Sequence, residues 1–187
     1  MPQRYEVRHQ GPAIVCGGAP CVFEDLESVI KIYPQAAILG VNNAAAMIPE
    51  VDHVWTQHNN YAREYKLKAG RPIKIHARAE IAGDEIDYWW DNMVAIKGSS
   101  GVVAAIWARA MGFDEVIMAG IPLSNTNTGY HSRYPDKKTD RVFATENSII
   151  GWQQMVRFHK KQGRTQGIYS MSGYTRHVFG PPPGLEN

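Results

Sequence analysis

The chain is poor in the features that would give its role away at once. Only two cysteines, Cys16 and Cys21, occur in 187 residues. They flank a glycine turn, and no Cys or His pair stands at a metal-ligand spacing, so neither a disulfide framework nor a zinc site is supported. No apolar run approaches the ~20 residues of a membrane-spanning helix. The formal net charge is only +2. With no basic stripe beside it, that balance argues against direct binding of DNA or RNA and against a membrane surface. The opening residues lack the basic and apolar regions of a secretory signal, and the expected compartment is the cytoplasm. Repeats and low-complexity tracts are missing. So is the Gly-x-Gly-x-x-Gly dinucleotide fingerprint, and no acidic residue ends the second predicted strand to hold a ribose. Asp84, Asp87 and Asp91 are spaced i, i+3, i+7 but are interleaved with Tyr88, Trp89 and Trp90. They read as an amphipathic surface rather than a metal site. No metal and no cofactor is expected.

What remains is an ordinary globular composition, 44% hydrophobic and 20% charged, arranged as short apolar runs between helical patterns. Strands are predicted at 13–16, 36–41, 53–56, 73–76, 115–119 and 167–171. Helices are predicted at 24–32, 44–48, in part of 57–70, at 100–111 and at 145–161. Residues 77–92 read as a loop in which Tyr88-Trp89-Trp90 is either a hydrophobic anchor or a base-stacking platform. The alternation predicts one α/β domain over residues 1–180. Its core is a Rossmann-like, open, mostly parallel sheet of about six strands with helices on both faces. Residues 181–187, rich in Pro and Gly, read as a loose tail. Residues 124–141 form a long polar loop, either solvated or a lid that closes over a bound phosphate.

In such sheets ligands lie beyond the carboxyl ends of the strands. Gly17-Gly18 follows the first strand, Asn42-Asn43 the second, Gln57-His58 the third, His76 and Arg78 the fourth, and Gly120 the fifth. Gly98-Ser99-Ser100-Gly101 opens the 100–111 helix. Each has two readings. The glycine turns either let the chain reverse tightly or let backbone N–H groups approach a ligand. Ser99 or Ser100 caps its helix, and the same first-turn donors suit an anion. Asn42 and Asn43 make a turn or read a base or ribose edge. Arg78 suits a phosphate, and His76 titrates near neutrality. Alternatively, the 57–61 and 76–78 clusters are solvated loop.

The run Gly98-Ser99-Ser100-Gly101-Val102, an apolar helix, then Gly112 through Ile121 resembles the central signature of bacterial sialyltransferases that use CMP-sialic acid. It also resembles the related motility-accessory-factor type domains. Gly17-Gly18-Ala19-Pro20 and Val41-Asn42-Asn43 stand where that group has its first glycine turn and a nucleotide-facing Asn. Residues 169–176 resemble small phage-encoded members of the group, whose function is generally unassigned. The resemblance and the strand-end positions together point to nucleotide binding by Gly17, Gly18, Asn42, Asn43, Gly98, Ser99, Ser100, Gly101, Gly120, Arg78 and Tyr130, and the resemblance implies Tyr130 and Tyr134 as lid tyrosines. The family's general base is a His between the lid and the next helix. Here that stretch, Arg141 to Asn147, contains none, which leaves His131 or His76 as the catalytic candidates.

Two functions follow from this reading. One is a glycosyltransferase-like protein moving a group from a nucleotide-activated donor, expected as a homo-oligomer. The other is a phage protein without chemistry that sequesters a nucleotide or cyclic-nucleotide signal.

Overall fold

The computed structural model describes residues 2–81, 83–93, 96–124, 129–133 and 146–185. Eight strands are described: β1 (Gln3–Arg4), β2 (Pro12–Cys16), β3 (Ala37–Val41), β4 (His53–Trp55), β5 (Lys74–Arg78), β6 (Tyr88–Trp90), β7 (Glu115–Ala119) and β8 (Ile168–Ser170). They form one sheet in the order β1-β6-β5-β4-β3-β2-β7-β8, and every pairing is parallel. Five α-helices accompany it: α1 (Val22–Ile32), α2 (Ala62–Ala69), α3 (Ser100–Ala110), α4 (Glu146–Lys161) and α5 (Gly173–Phe179). No described helix is long and apolar enough to cross a membrane.

Period-two alternation sends the strand side chains into two cores. Ala13, Val15, Val116 and Met118 meet α3 and the inner face of α4. Ile14, Cys16, Ile117 and Ala119 meet α1 and α2. Both faces are therefore covered, which is why these strands read as continuous apolar runs. The α3 helix begins where the Ser99 hydroxyl accepts from the Val102 N–H at 3.4 Å. Its end is followed by Gly112 at φ +107°, a left-handed position that suits glycine.

The sequence missed two strands, both at one edge. Tyr88–Trp90, expected in a loop, pairs with β5 and β1, so Asp84, Asp87 and Asp91 do not share a helix face. Asp87 instead accepts from the Ile75 N–H and pairs with Lys66 at 3.1 Å. The described part of the tail is also not loose. The Tyr33 hydroxyl donates to the Pro183 carbonyl at 3.0 Å, Arg176 donates to the Leu185 carbonyl, and Leu185 packs on the α1 side. Of the proposed lid, only Ser124 and residues 129–133 are described. Tyr134, Lys137, Lys138, Arg141 and Thr145 lie outside the described residues.

The sequence pattern ends the fourth strand at His76 and so places it at a strand end. The strand runs on to Arg78, which puts His76 at its centre, fully buried. The Trp90 indole N–H donates to His76 Nδ1 at 3.1 Å, so the proton of the neutral ring sits on Nε2 and is donated to His53 Nδ1 at 2.8 Å. Burial, with His53 and His9 nearby, holds the His76 pKa well below its ordinary value. Burial likewise lowers that of His53. In the unfolded chain both titrate near ~6.5. Stability is therefore complete above that pH and falls as the pH drops below it, because the unfolded chain binds the protons first. For His76 the slope approaches roughly 1.4 kcal/mol per pH unit. Urea unfolding at pH 7.5 and pH 5.5 checks this. The midpoint should fall at the lower pH, and His76→Gln should flatten the difference while lowering stability at pH 7.5.

Candidate functional site

A cavity of about 210 Å³ opens beyond the carboxyl ends of β2, β3 and β7. The chain moves outward from β2 through β3, β4, β5 and β6, then returns to the other side of β2 as β7. The cavity thus lies at the point where strand order reverses, the usual place for a ligand in an open α/β sheet. Gly17, Gly18 and Ala19 come from the turn after β2, Val41 and Asn42 from the end of β3, and Gly120 from the end of β7. Ser99, Ser100 and Gly101 bring in the N-terminus of α3. Tyr130, His58, Trp152, Ile149 and Leu123 complete the wall.

Eight of the nucleotide-site residues read from the sequence meet here: Gly17, Gly18, Asn42, Ser99, Ser100, Gly101, Gly120 and Tyr130. Five other candidates do not line it. Asn43 is buried in the 3-10 turn Asn42–Ala46. Gly98 stands one residue outside, its carbonyl accepting from Gln57 Nε2 at 3.2 Å. Arg78 lies three strands from β2 and approaches Glu80 at 3.7 Å. His76 is enclosed as described above. The His131 N–H donates to the Gly18 carbonyl at 2.8 Å, but its ring meets Phe23 and its Nδ1 accepts from the Arg133 N–H. Its backbone thus tethers the loop to the glycine turn while its ring packs on α1.

Two of the glycines have a packing reason that needs no ligand. A Cβ on Gly17 would strike the Gly120 carbonyl oxygen and lie 2.6 Å from Ile121 Cγ1. Gly120 itself has φ +66° and faces Val22. Beneath them lies a buried carboxylate that sequence reasoning overlooked. Asp25 Oδ2 accepts the Gly120 N–H at 2.8 Å and the Ser172 hydroxyl at 2.9 Å, joining α1, β7 and the turn before α5. Burial raises its pKa, although both bonds pull the other way. The Cys21 thiol lies 3.4 Å from the Ser172 hydroxyl, and burial pushes its pKa to about 11. It is therefore a poor nucleophile.

Evidence for a ligand comes from strain and from polarity. Among the described residues, Asn42 (φ 53°) and Leu123 (φ 44°) are the non-glycine residues with left-handed backbones, and both line the cavity. Each such residue costs of order 1–3 kcal/mol and persists where the surroundings enforce it, often at functional sites. The Asn42 Oδ1 is buried and has no hydrogen-bond partner among the described residues. A buried acceptor left unpaired costs about 1–3 kcal/mol, and a ligand hydroxyl or amine would remove that cost. The α3 N-terminus offers backbone donors and partial positive charge to an anion. The Ser100 hydroxyl is held by Gln57 Nε2 at 3.2 Å. No lysine or arginine among the described residues lines the cavity.

Leu123, Ile149 and Trp152 are not among the site residues read from the sequence, and His58 is there only as a strand-end position. Ile149 and Trp152 share the apolar stripe of α4, where a cavity wall and a core contact have the same spacing. For His58 the strand-end rule already pointed to the right segment.

No protein-family model matches the chain, and no curated protein matches it by sequence. Its fold is similar to that of the sialyltransferase CstII from Campylobacter jejuni, solved in complex with a substrate analogue, cytidine-5'-monophosphate. The TM-score is 0.63 at 13% sequence identity, over 97% of this chain and 88% of that one. A likeness at that identity establishes the Rossmann-like fold.

Proposed function

We propose that the cavity binds the nucleotide of an activated sugar and that the protein transfers the glycosyl group from it. The phosphate rests at the N-terminus of α3, against Ser99, Ser100 and Gly101. Asn42 Oδ1 accepts a ribose hydroxyl or an exocyclic amine. Val41, Leu123, Ile149 and Trp152 supply the apolar surface for a base. The observation that carries this reading is the conjunction at one rim of a buried, unpartnered Asn42 acceptor and an α3 N-terminus presenting donors. The fold shared with a sialyltransferase crystallised with cytidine-5'-monophosphate supports the same ligand class.

The cavity is smaller than the roughly 300–1,000 Å³ typical of sites that enclose a ligand. The nucleotide end sits inside, and the sugar projects through the mouth, where an acceptor arrives from solvent. The test is to extract small molecules from the freshly purified protein, identify them by mass, and then incubate the protein with CMP-, UDP- and GDP-sugars. A bound nucleotide together with a glycosyl-transfer product from at least one of the donors is the expected result. A nucleotide held tightly and returned unchanged would favour sequestration, and the absence of both binding and turnover would refute the proposal.

A further inference from the structure

With the expected His missing from the stretch before α4, and with His131 and His76 turned elsewhere, the transfer still requires a base. All seven histidines are among the described residues. His53 and His76 bond each other, and His9 bonds the Tyr5 hydroxyl at 2.6 Å. The His159 Nε2–H donates to the Lys97 carbonyl at 2.6 Å while its Nδ1 faces Arg164. The His131 ring lies against Phe23, and His177 is exposed on α5, away from the cavity. His58 alone among them lines the cavity, and its ring nitrogens have no hydrogen-bond partner among the described residues.

Its backbone is held firmly. Thr56 is fully buried and accepts the His58 N–H at 2.9 Å, and the Thr56 N–H donates to the His76 carbonyl in the neighbouring strand. The ring itself stays exposed at the mouth, with one edge near Tyr61. This is a rigid base carrying a solvent-reachable imidazole, placed where an acceptor would enter.

We propose that His58 is the general base of glycosyl transfer, an inference that rests on the function proposed above. An imidazole nitrogen of His58 takes the proton of the acceptor hydroxyl, and that oxygen forms the new bond to the anomeric carbon. The bond from the anomeric carbon to the phosphate oxygen breaks, and its electron pair stays with the nucleotide phosphate at the α3 N-terminus. The proton then passes from His58 to solvent, and water serves when no alcohol is bound. Such a base contributes roughly 10²- to 10⁴-fold. Desolvation on its cavity side lowers the pKa of the ring from its ordinary value, the direction that favours the proton-accepting form.

The experiment measures nucleotide release from CMP-, UDP- and GDP-sugars, with and without lactose, by wild type, His58→Gln, His58→Ala and the surface control His177→Gln. Binding of cytidine-5'-monophosphate is measured in parallel by calorimetry. For a donor the wild type uses, both His58 variants should lose at least about 100-fold in kcat while retaining nucleotide affinity and thermal stability. The acid limb of the pH–rate profile should disappear in His58→Gln, and imidazole should partly restore His58→Ala. If wild type is active and His58→Gln stays within threefold of it, His58 is not the base and the transfer reading stands. If wild type binds the nucleotide but turns over no donor, both the base assignment and the transfer fail, and binding survives. If it neither binds nor turns over, the site reading fails with them.

Discussion

Gly17→Val unfolds the protein or lowers its stability by at least about 3 kcal/mol, well beyond the ordinary cost of a surface substitution. The collision is with backbone. The new Cβ would strike the Gly120 carbonyl oxygen, and Ile121 blocks retreat on the other side. Gly120 cannot give way, because its N–H is fixed on Asp25 and its left-handed backbone packs on Val22. The Gly17 N–H is also bound to the Ala119 carbonyl at 2.8 Å. Gly151→Ala is the contrasting substitution. It lies within α4 and a Cβ there meets nothing within 4 Å, so a gain of about 0.5–1 kcal/mol is expected from the better helix former. Urea unfolding of both variants measures the difference. A stable, cooperative Gly17→Val would mean that the β2 and β7 turns do not approach as described.

Ser100→Trp acts on the ligand instead. Ser100 lies in the first turn of α3, while the cap is Ser99, so the helix keeps its start. The lost bond from Gln57 costs about 1 kcal/mol. Ser100 lines the cavity, so the larger side chain is expected to take up its volume. Affinity for cytidine-5'-monophosphate should fall by more than about 100-fold, equivalent to roughly 3 kcal/mol, with circular dichroism unchanged. Calorimetric titration of the variant against wild type reads this directly.

The sheet was legible where strands are buried on both faces. β2 and β7 are apolar runs with glycine after each, and their bounds differ from the sequence reading by at most one residue. The edge was not legible. β1 has two residues, and among the described strands it pairs with β6. Its pairing depends on a strand far along the chain, which no local pattern announces. α5 was missed for a related reason. It is seven residues long and is fixed by contacts such as the Thr175 hydroxyl on the Ile121 carbonyl at 2.6 Å.

The site was legible through the strand-end rule and blurred by errors of strand length. Ending the fourth strand two residues early moved His76 from the core to the rim. His58 stands in the correct loop, where the sequence leaves a strand-end ligand contact and a solvated loop both open. At Gly17 and Gly120 the close approach is between elements of the protein, so the tight-turn reading holds there, and both also line the cavity. The two signals that best mark the cavity, backbone strain at Asn42 and Leu123 and the unpaired Asn42 oxygen, exist only in three dimensions.

On the proposed function, nucleotide phosphate sits where β2, β3 and α3 converge. Amide chemical shifts of ¹⁵N-labelled protein, followed through a titration with cytidine-5'-monophosphate, test it most directly. The account predicts saturable shifts centred on Gly17, Gly18, Asn42 and Ser99 to Gly101, absent in Ser100→Trp. Shifts confined to a second groove, lined by Arg4, Arg8 and Trp89, or no saturable change at all, would contradict this.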